Sequence, residues 1–318
     1  MNLQTIIIAG PTASGKTDVA YLISKKFPST IINADSMQVY KDFSILTNRP
    51  SEKETKTHNC KIFGELSLNK KSNFGWWIKR AKEEIVKSRS VGKIPIVVGG
   101  TGLYLSGLEK EISAIPPIRE KVKKKIQELH KKKGNQFFFR KLQSIDSEIA
   151  QKLHQNDTQR ILRAVAVKIS TGKNLSYWQK KKKGLVDNKN HMYVVIKTNR
   201  NCLYNNINKR FLKMIEKGAI NEVKRFMALN VKSDHPINKI IGLRYLISYV
   251  EKKITIKDAI MLAQKDTRNF AKRQITWFKH QPINAHYFDK EEAHNFLVNF
   301  IKKKINFRCL YFIFSLFY

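Results

Sequence analysis

Residues 6–20, IIIAGPTASGKTDVA, run from β-branched side chains through a glycine-framed loop into the start of a helix. The loop, Gly10-Pro11-Thr12-Ala13-Ser14-Gly15-Lys16-Thr17, fits the pattern G-x-x-x-x-G-K-[ST]. Such a loop turns its N–H groups inward, and the helix behind it adds positive potential at its N-terminus. Lys16 supplies a point charge to terminal phosphates, and the Thr17 hydroxyl can hold Mg²⁺. A glycine-rich turn without a ligand is the plain alternative, but the strand before the loop and the helix after it favour a phosphate cradle. These elements in series commit the chain to an α/β core. They leave the cargo open, because any di- or triphosphate would satisfy the loop.

Short β-branched runs alternate with helical stretches through the first third. Thr5–Ala9, Thr30–Ala34 and Ile94–Val98 read as buried strands of a parallel, doubly wound sheet. After Pro116-Pro117 the pattern turns helical, with lysine runs at 123–125, 131–133 and 180–183. Ile161, Leu162, Val165, Ala166 and Ile169 form one apolar face of a helix that starts after Asn156-Asp157. Met192–Ile196 returns as a strand, and the remainder reads as helical, with one long helix running toward Gln281-Pro282. The expected fold is a P-loop NTPase-like parallel sheet core, residues 1–116 and 188–306, with a helical C-terminal part. An inserted all-helical domain, 117–187, interrupts it. Residues 307–318 form an apolar tail without an assigned role.

Composition narrows the partner. Lysine and arginine number 61 against 25 acidic residues, a formal charge of +36. The excess is uneven, with +7 on residues 1–115, +14 on 116–190 and +15 on 191–318. A general lysine bias would not concentrate charge in the middle stretch. A polyanion, nucleic acid ahead of a membrane surface, supplies the physical reason. Cys60, Cys202 and Cys309 form neither a disulfide framework nor a metal knuckle, which suits a reducing cytoplasm. No charged-then-apolar leader opens the chain, and the apolar tail is too short to span a bilayer. A cytoplasmic monomer without membrane attachment is expected.

Three more constellations carry chemistry. Asp35 ends the strand after the loop. Either it or Ser36 caps the next element, or Asp35 serves as a general base or Mg²⁺ ligand beside the phosphates. The strand Ile94–Val98 runs into Gly99-Gly100-Thr101, without the aspartate that a nucleotide hydrolase uses to hold its metal. That counts against ordinary NTP hydrolysis. Gln159, Arg160 and Arg163 share the first turns of one helix. They are either a solvated helix start or a cluster suited to phosphate and base-edge contacts. Arg210 and the run Thr267–Phe278 interleave basic and aromatic residues. Phe270, Trp277 and Phe278 are expected in the core, while the cations, with Lys265, Arg268, Lys272 and Lys279 near one face, are available to phosphates.

In this order the blocks resemble the tRNA dimethylallyltransferase (isopentenyl-diphosphate:tRNA transferase) family. The matching stretches are Gly10–Thr17, Asp35–Tyr40, Val98–Tyr104, Asn156–Ala164 with Thr171-Gly172-Lys173, Arg210-Phe211 with Met214 and Gly218, and Thr267–Phe278. The resemblance implies transfer of a dimethylallyl group from dimethylallyl diphosphate to N6 of adenosine 37 of tRNA, with Mg²⁺ assisting. It implies that Gly10, Pro11, Thr12, Ala13, Ser14, Gly15, Lys16 and Thr17 hold the diphosphate, and that Thr17 holds the metal. Asp35 would take the proton from the adenine amino group, with Thr101 and Arg210 completing the diphosphate end and the channel. The implied tRNA contacts are Asp35, Ser36, Met37, Gln38, Thr101, Lys123, Gln159, Arg160, Ile161, Leu162 and Arg163. The base must leave the anticodon stack to react, and the basic insertion would grip the anticodon stem-loop.

The chain departs from the family pattern in four places. Thr47-Asn48-Arg49-Pro50 keeps the charge of the usual Thr-Ala/Gly-Lys-Pro, and His58-Asn59-Cys60 lacks a second histidine. Lys123 stands where an arginine is usual, and a lysine cannot make an arginine's bidentate phosphate contact. Arg163-Ala164-Val165-Ala166 lacks the usual final acid. None of these touches the loop or Asp35. Three rival readings are a small-molecule kinase, a prenyltransferase of free AMP or ADP, and a basic RNA-binding protein with a vestigial loop.

Overall fold

The strand Thr5–Ala9 is buried along its whole length, as a continuous apolar run is when a parallel sheet is covered on both faces. A computed structural model of the chain describes residues 4–109, 112–113, 115–183, 191–280 and 284–314. The chain divides into two compact units, residues 1–109 with 188–318, and residues 110–187. The strands are β1 (Thr5–Ala9), β2 (Ser29–Asn33), β3 (Cys60–Lys61), β4 (Ile94–Gly99), β5 (Ile112–Ser113), β6 (Lys182–Lys183), β7 (His191–Ile196) and β8 (His286–Phe288).

The larger unit carries a six-stranded parallel sheet in the order β3-β2-β4-β1-β7-β8. The α/β core expected from the sequence is present. Ile6, Ile8, Ile96 and Val98 share a core with Val19 and Ile23 of the helix Lys16–Lys26 and with Leu297 and Ile301 of the helix Lys290–Phe314. Each fully buried isoleucine contributes roughly 1.5–3 kcal/mol. The helix Phe74–Ser90 packs on β2 and β4, and its buried Trp77 donates Nε1–H to the Asn33 carbonyl at 2.6 Å. Register then places the chemistry. Ala9 pairs with Gly99 and Asn33 with Val98, so the phosphate loop, Asp35 and Thr101 leave neighbouring strands at one edge. Ligands bind at that carboxyl edge in open α/β sheets.

Two expectations change. The region after residue 200 is not wholly helical, because His286–Phe288 adds a parallel edge strand to β7. Three residues are too few to show a period of two in sequence. The long helix spans Ile256–His280, and the expected stop at Gln281-Pro282 lies outside the described residues. The helix Lys290–Phe314 continues into the apolar stretch 307–318, of which 315–318 lie outside the described residues. Among the described residues, no helix is long and apolar enough to cross a membrane.

Among the described residues, the regular structure of the smaller unit is helical apart from the short antiparallel pair β5–β6. Asp157 caps the helix Thr158–Thr171 by accepting the Arg160 N–H at 3.3 Å, and Gly172 ends it at φ 70°. Ile161, Ala164 and Val165 of this helix pack against Phe138 and Leu142. Ile169, expected on the same face, is exposed. It stands eight residues beyond Ile161, a rotation of about 80° at 3.6 residues per turn. Ile161, implied as a tRNA contact, has its side chain fully buried in this core, so only its backbone is left to meet RNA.

Candidate active site

The loop closes around positions that only glycine accommodates. Gly10 has φ 154°, and a Cβ there would stand 2.9 Å from Ser14 Oγ and 3.0 Å from the Ile196 carbonyl oxygen. Lys16 Nζ donates to the Pro11 carbonyl at 3.2 Å, and Ser14 N–H to the same oxygen at 3.3 Å. Thr12 is held twice by distant helices. Its N–H donates to Gln274 Oε1 at 2.8 Å, and its Oγ1 accepts a hydrogen bond from the Arg210 guanidinium.

Asp35 sits in a turn built by its neighbours. Its N–H donates to Asn33 Oδ1 at 2.7 Å, and its own Oδ1 accepts the Met37 N–H at 2.9 Å. No helix begins directly after it, so the cap considered above is instead a local side-chain turn. Thr101 braces this turn, accepting the Ser36 N–H at 3.1 Å and donating its own N–H to the Ala34 carbonyl at 3.2 Å. The approach needs a glycine before it, because a Cβ on Gly99 would meet the Ala34 carbonyl carbon at 2.3 Å.

Thr12, Asp35, Ser36, Met37, Thr101 and Arg210 line one cavity of about 330 Å³. Most of its remaining wall is apolar, made by Leu46, Ile207, Phe211, Met214, Ile240 and Phe270. Phe270 therefore belongs to the cavity and not to the core assigned to it above. Phe278 is buried as expected, and Trp277 is half-buried. Charge concentrates at the polar end. Burial pushes the Lys16 ammonium down to about 8, with Asp35 opposing that shift and Arg210 adding to it. Burial also lowers the Arg210 guanidinium to about 10, again opposed by Asp35. Both cations are thus held beside a single carboxylate, an arrangement short of negative charge at neutral pH.

Other expected residues fall elsewhere. The Gln38 amide donates to the Thr47 and Asn48 carbonyls at 2.9 and 3.0 Å, tying down the cavity's rim. Arg268, expected to be available to phosphates, donates to Asn208 Oδ1 at 2.8 Å, while Lys265, Lys272 and Lys279 are exposed. In the helical unit Gln159, Arg160 and Arg163 are exposed, with Arg160 3.2 Å from Asp157. Leu162 is half-buried, and exposed Lys123 pairs with Glu120 at 2.7 Å. Among the departures, Val165 and Ala166 are buried in the unit's apolar core, so an acid there would need a partner of its own. Asn59 donates to Thr30 Oγ1 at 2.9 Å, and Cys60 is a buried free thiol.

Glu222 is a further residue that sequence reading missed. Buried at 3% exposure, its carboxylate accepts the N–H groups of Ser44, Ile45 and Leu46 at 2.7, 2.9 and 2.8 Å. It fixes the loop that carries Leu46 and Thr47 into the cavity wall. Glu222→Ala strands these buried donors, and urea unfolding should show a loss of about 1–3 kcal/mol for the unsatisfied groups.

Among the described residues no group of three or more His, Cys, Asp or Glu side chains could hold a metal ion. The donors suit Mg²⁺ carried mainly by phosphate oxygens, since the Thr17 hydroxyl and Asp35 are hard oxygen ligands. Ser14 Oγ is buried in the cradle without a hydrogen-bond partner, which also fits a polar ligand.

The family model described as IPP transferase matches residues 38–281, and the model described as isopentenyl transferase matches residues 3–70. The chain belongs to the IPP transferase family. A tRNA dimethylallyltransferase of Pelagibacter ubique is 41% identical over 86% of this chain and 88% of its own length. One from a Wolbachia of Drosophila simulans is 37% identical over 91% of this chain and 97% of its own. A solved tRNA isopentenylpyrophosphate transferase from Staphylococcus epidermidis aligns with a TM-score of 0.65 and 32% identity, covering 95% of this chain and 98% of that one. A eukaryotic dimethylallyltransferase captured acting on tRNA aligns at 0.77 and 25%, covering 91% and 74%. Family membership makes this chain a transferase of prenyl groups and sets aside the small-molecule kinase and the RNA-binding protein with a vestigial loop.

Proposed function

We propose that the protein transfers the dimethylallyl group of dimethylallyl diphosphate to N6 of adenosine 37 of tRNA, releasing pyrophosphate. The observation that carries this reading is the cavity itself. It joins one side of a phosphate loop, a carboxylate and an apolar wall within about 330 Å³. Leu46, Ile207, Phe211, Met214 and Phe270 suit a hydrocarbon chain next to the phosphates.

In this reading Gly10–Thr17 binds the diphosphate through N–H groups and Lys16, and Arg210 adds charge at its far side. These fixed donors stabilise the negative charge that develops as the allylic C–O bond breaks. The Thr17 hydroxyl would hold Mg²⁺, which when bound would supply Lewis-acid neutralisation of the same charge. Leu46, Phe211, Met214 and Phe270 surround the five-carbon chain and keep water from the allylic carbon. Asp35 accepts the proton as the adenine amino nitrogen attacks, and Thr101 holds the Asp35–Ser36 turn in place. Such a carboxylate matters because an exocyclic amine is a weak nucleophile. Met37, Ser36 and Gln38 border the entry of the flipped base. Exposed Gln159, Arg160, Arg163 and Lys123 on the helical unit grip the anticodon stem-loop, with Leu162 beside them. The protein works as a cytoplasmic monomer.

The test is mass spectrometry of nucleosides from tRNA incubated with the protein, dimethylallyl diphosphate and Mg²⁺. A dimethylallyl adduct on adenosine is expected. Its absence refutes the assignment, and an adduct on free AMP without tRNA would favour the mononucleotide prenyltransferase.

A further inference from the structure

The phosphate loop offers fewer N–H groups than its pattern suggests. Pro11 has none. Thr12 N–H is consumed by Gln274 Oε1 at 2.8 Å, and Ser14 N–H turns back to the Pro11 carbonyl. The free donors therefore lie at Ala13 and at the helix start, Gly15, Lys16 and Thr17, where the first-turn N–H groups have no intrahelical acceptor. They gather at the C-terminal side of the loop. On the N-terminal side Pro11 has no N–H and that of Thr12 is already engaged.

Gln274 makes this arrangement. It is 6% exposed and reaches the loop from the helix Ile256–His280. Its Nε2 donates to the Gly100 carbonyl at 2.8 Å, which fixes the amide's orientation and turns Oε1 toward Thr12. A Cβ on Gly100 would stand only 2.3 Å from Gln274 Nε2, so this glycine makes room for the clamp.

We propose that Gln274 sets the length of the polyphosphate that the loop accepts, confining it to a diphosphate. This is a positioning and specificity role that rests on the diphosphate reading above. It acts by occupying the N–H of Thr12, the one residue of the loop that lines the cavity beside Asp35, so a nucleoside triphosphate meets one donor fewer there.

The experiment titrates the full-length protein with inorganic pyrophosphate and with tripolyphosphate by calorimetry, at constant Mg²⁺ and without tRNA. Wild type should bind pyrophosphate at least about tenfold more tightly, the worth of one charge-assisted hydrogen bond. Gln274→Met removes both hydrogen bonds at similar length and frees Thr12 N–H, and the preference should narrow to about threefold or less. Gly100→Ala crowds the Gln274 amide at 2.3 Å, and the Gly10 carbonyl less severely at 3.0 Å, and should narrow the ratio in the same direction, which keeps the test decisive if the methionine variant does not fold. A merely structural role for Gln274 would weaken both ligands alike and leave the ratio unmoved. Equal affinities in wild type, or a ratio unchanged in the folded variants, overturns the proposal. A parallel titration with dimethylallyl diphosphate separates the two readings. Selective pyrophosphate binding without allyl diphosphate binding would sink the proposed reaction and leave the role of Gln274 standing.

Discussion

Asp35→Asn should lower the single-turnover rate of transfer by roughly 10²–10⁴-fold, the usual worth of a positioned general base. The substitution is well suited to the question because it spares the local structure. An asparagine Oδ1 can still accept the Met37 N–H, and the Asn33 contact uses only the backbone of residue 35. The Thr101 brace likewise acts on Ser36 N–H and the Ala34 carbonyl, neither of which changes. Binding of dimethylallyl diphosphate should persist or tighten, since a negative charge is removed from beside a diphosphate. The predicted signature is a fall in rate with unchanged or stronger binding. Calorimetry and rapid quench together measure it. A rate within about threefold of wild type, well below the usual range for a general base, would remove Asp35 from the chemistry.

Much of this site is legible in the sequence because its parts are local. The loop Gly10–Thr17 is contiguous, and Asp35 follows a short, continuously buried strand whose length marks its end. The cavity wall is a different matter. Leu46, Ile207, Phe211, Ile240 and Phe270 come from separate segments, and each alone reads as an ordinary core residue. Gln274 lies 262 residues from Thr12, and Glu222 is 178 residues from Ser44, so no local pattern connects either pair. Ile161 shows two sequence signals pointing different ways. Its helical spacing already places it on the apolar face, and the motif around it is what suggests an RNA contact. The buried side chain shows that periodicity was the stronger signal there, while exposed Gln159 and Arg163 occupy the face the period leaves free.

Lys16→Ala should weaken dimethylallyl diphosphate binding by about 10–100-fold, the range for a lost charge-assisted hydrogen bond. The more specific consequence concerns pH. Burial holds the Lys16 ammonium at about 8, below its ordinary value, while Arg210 at about 10 stays charged through pH 9. A diphosphate favours charged Lys16, so its binding must raise that group's pKa. Below about 8 the free protein already carries the proton, and affinity should be flat. Above it, binding requires proton uptake, and affinity should fall toward tenfold per pH unit, the slope for one linked proton. The ligand does not obscure this window, because the second proton of a phosphate monoester leaves near pH 6. Lys16→Arg separates charge from titration, as its guanidinium keeps its proton across the window while losing the lysine's point-charge geometry. Its affinity should be lower than wild type at pH 7.5 but flat to pH 9, and Lys16→Ala should be weak and flat. A wild-type slope that survives in both variants would mean that another group takes up the proton, and that Lys16 is not the charge that holds the diphosphate.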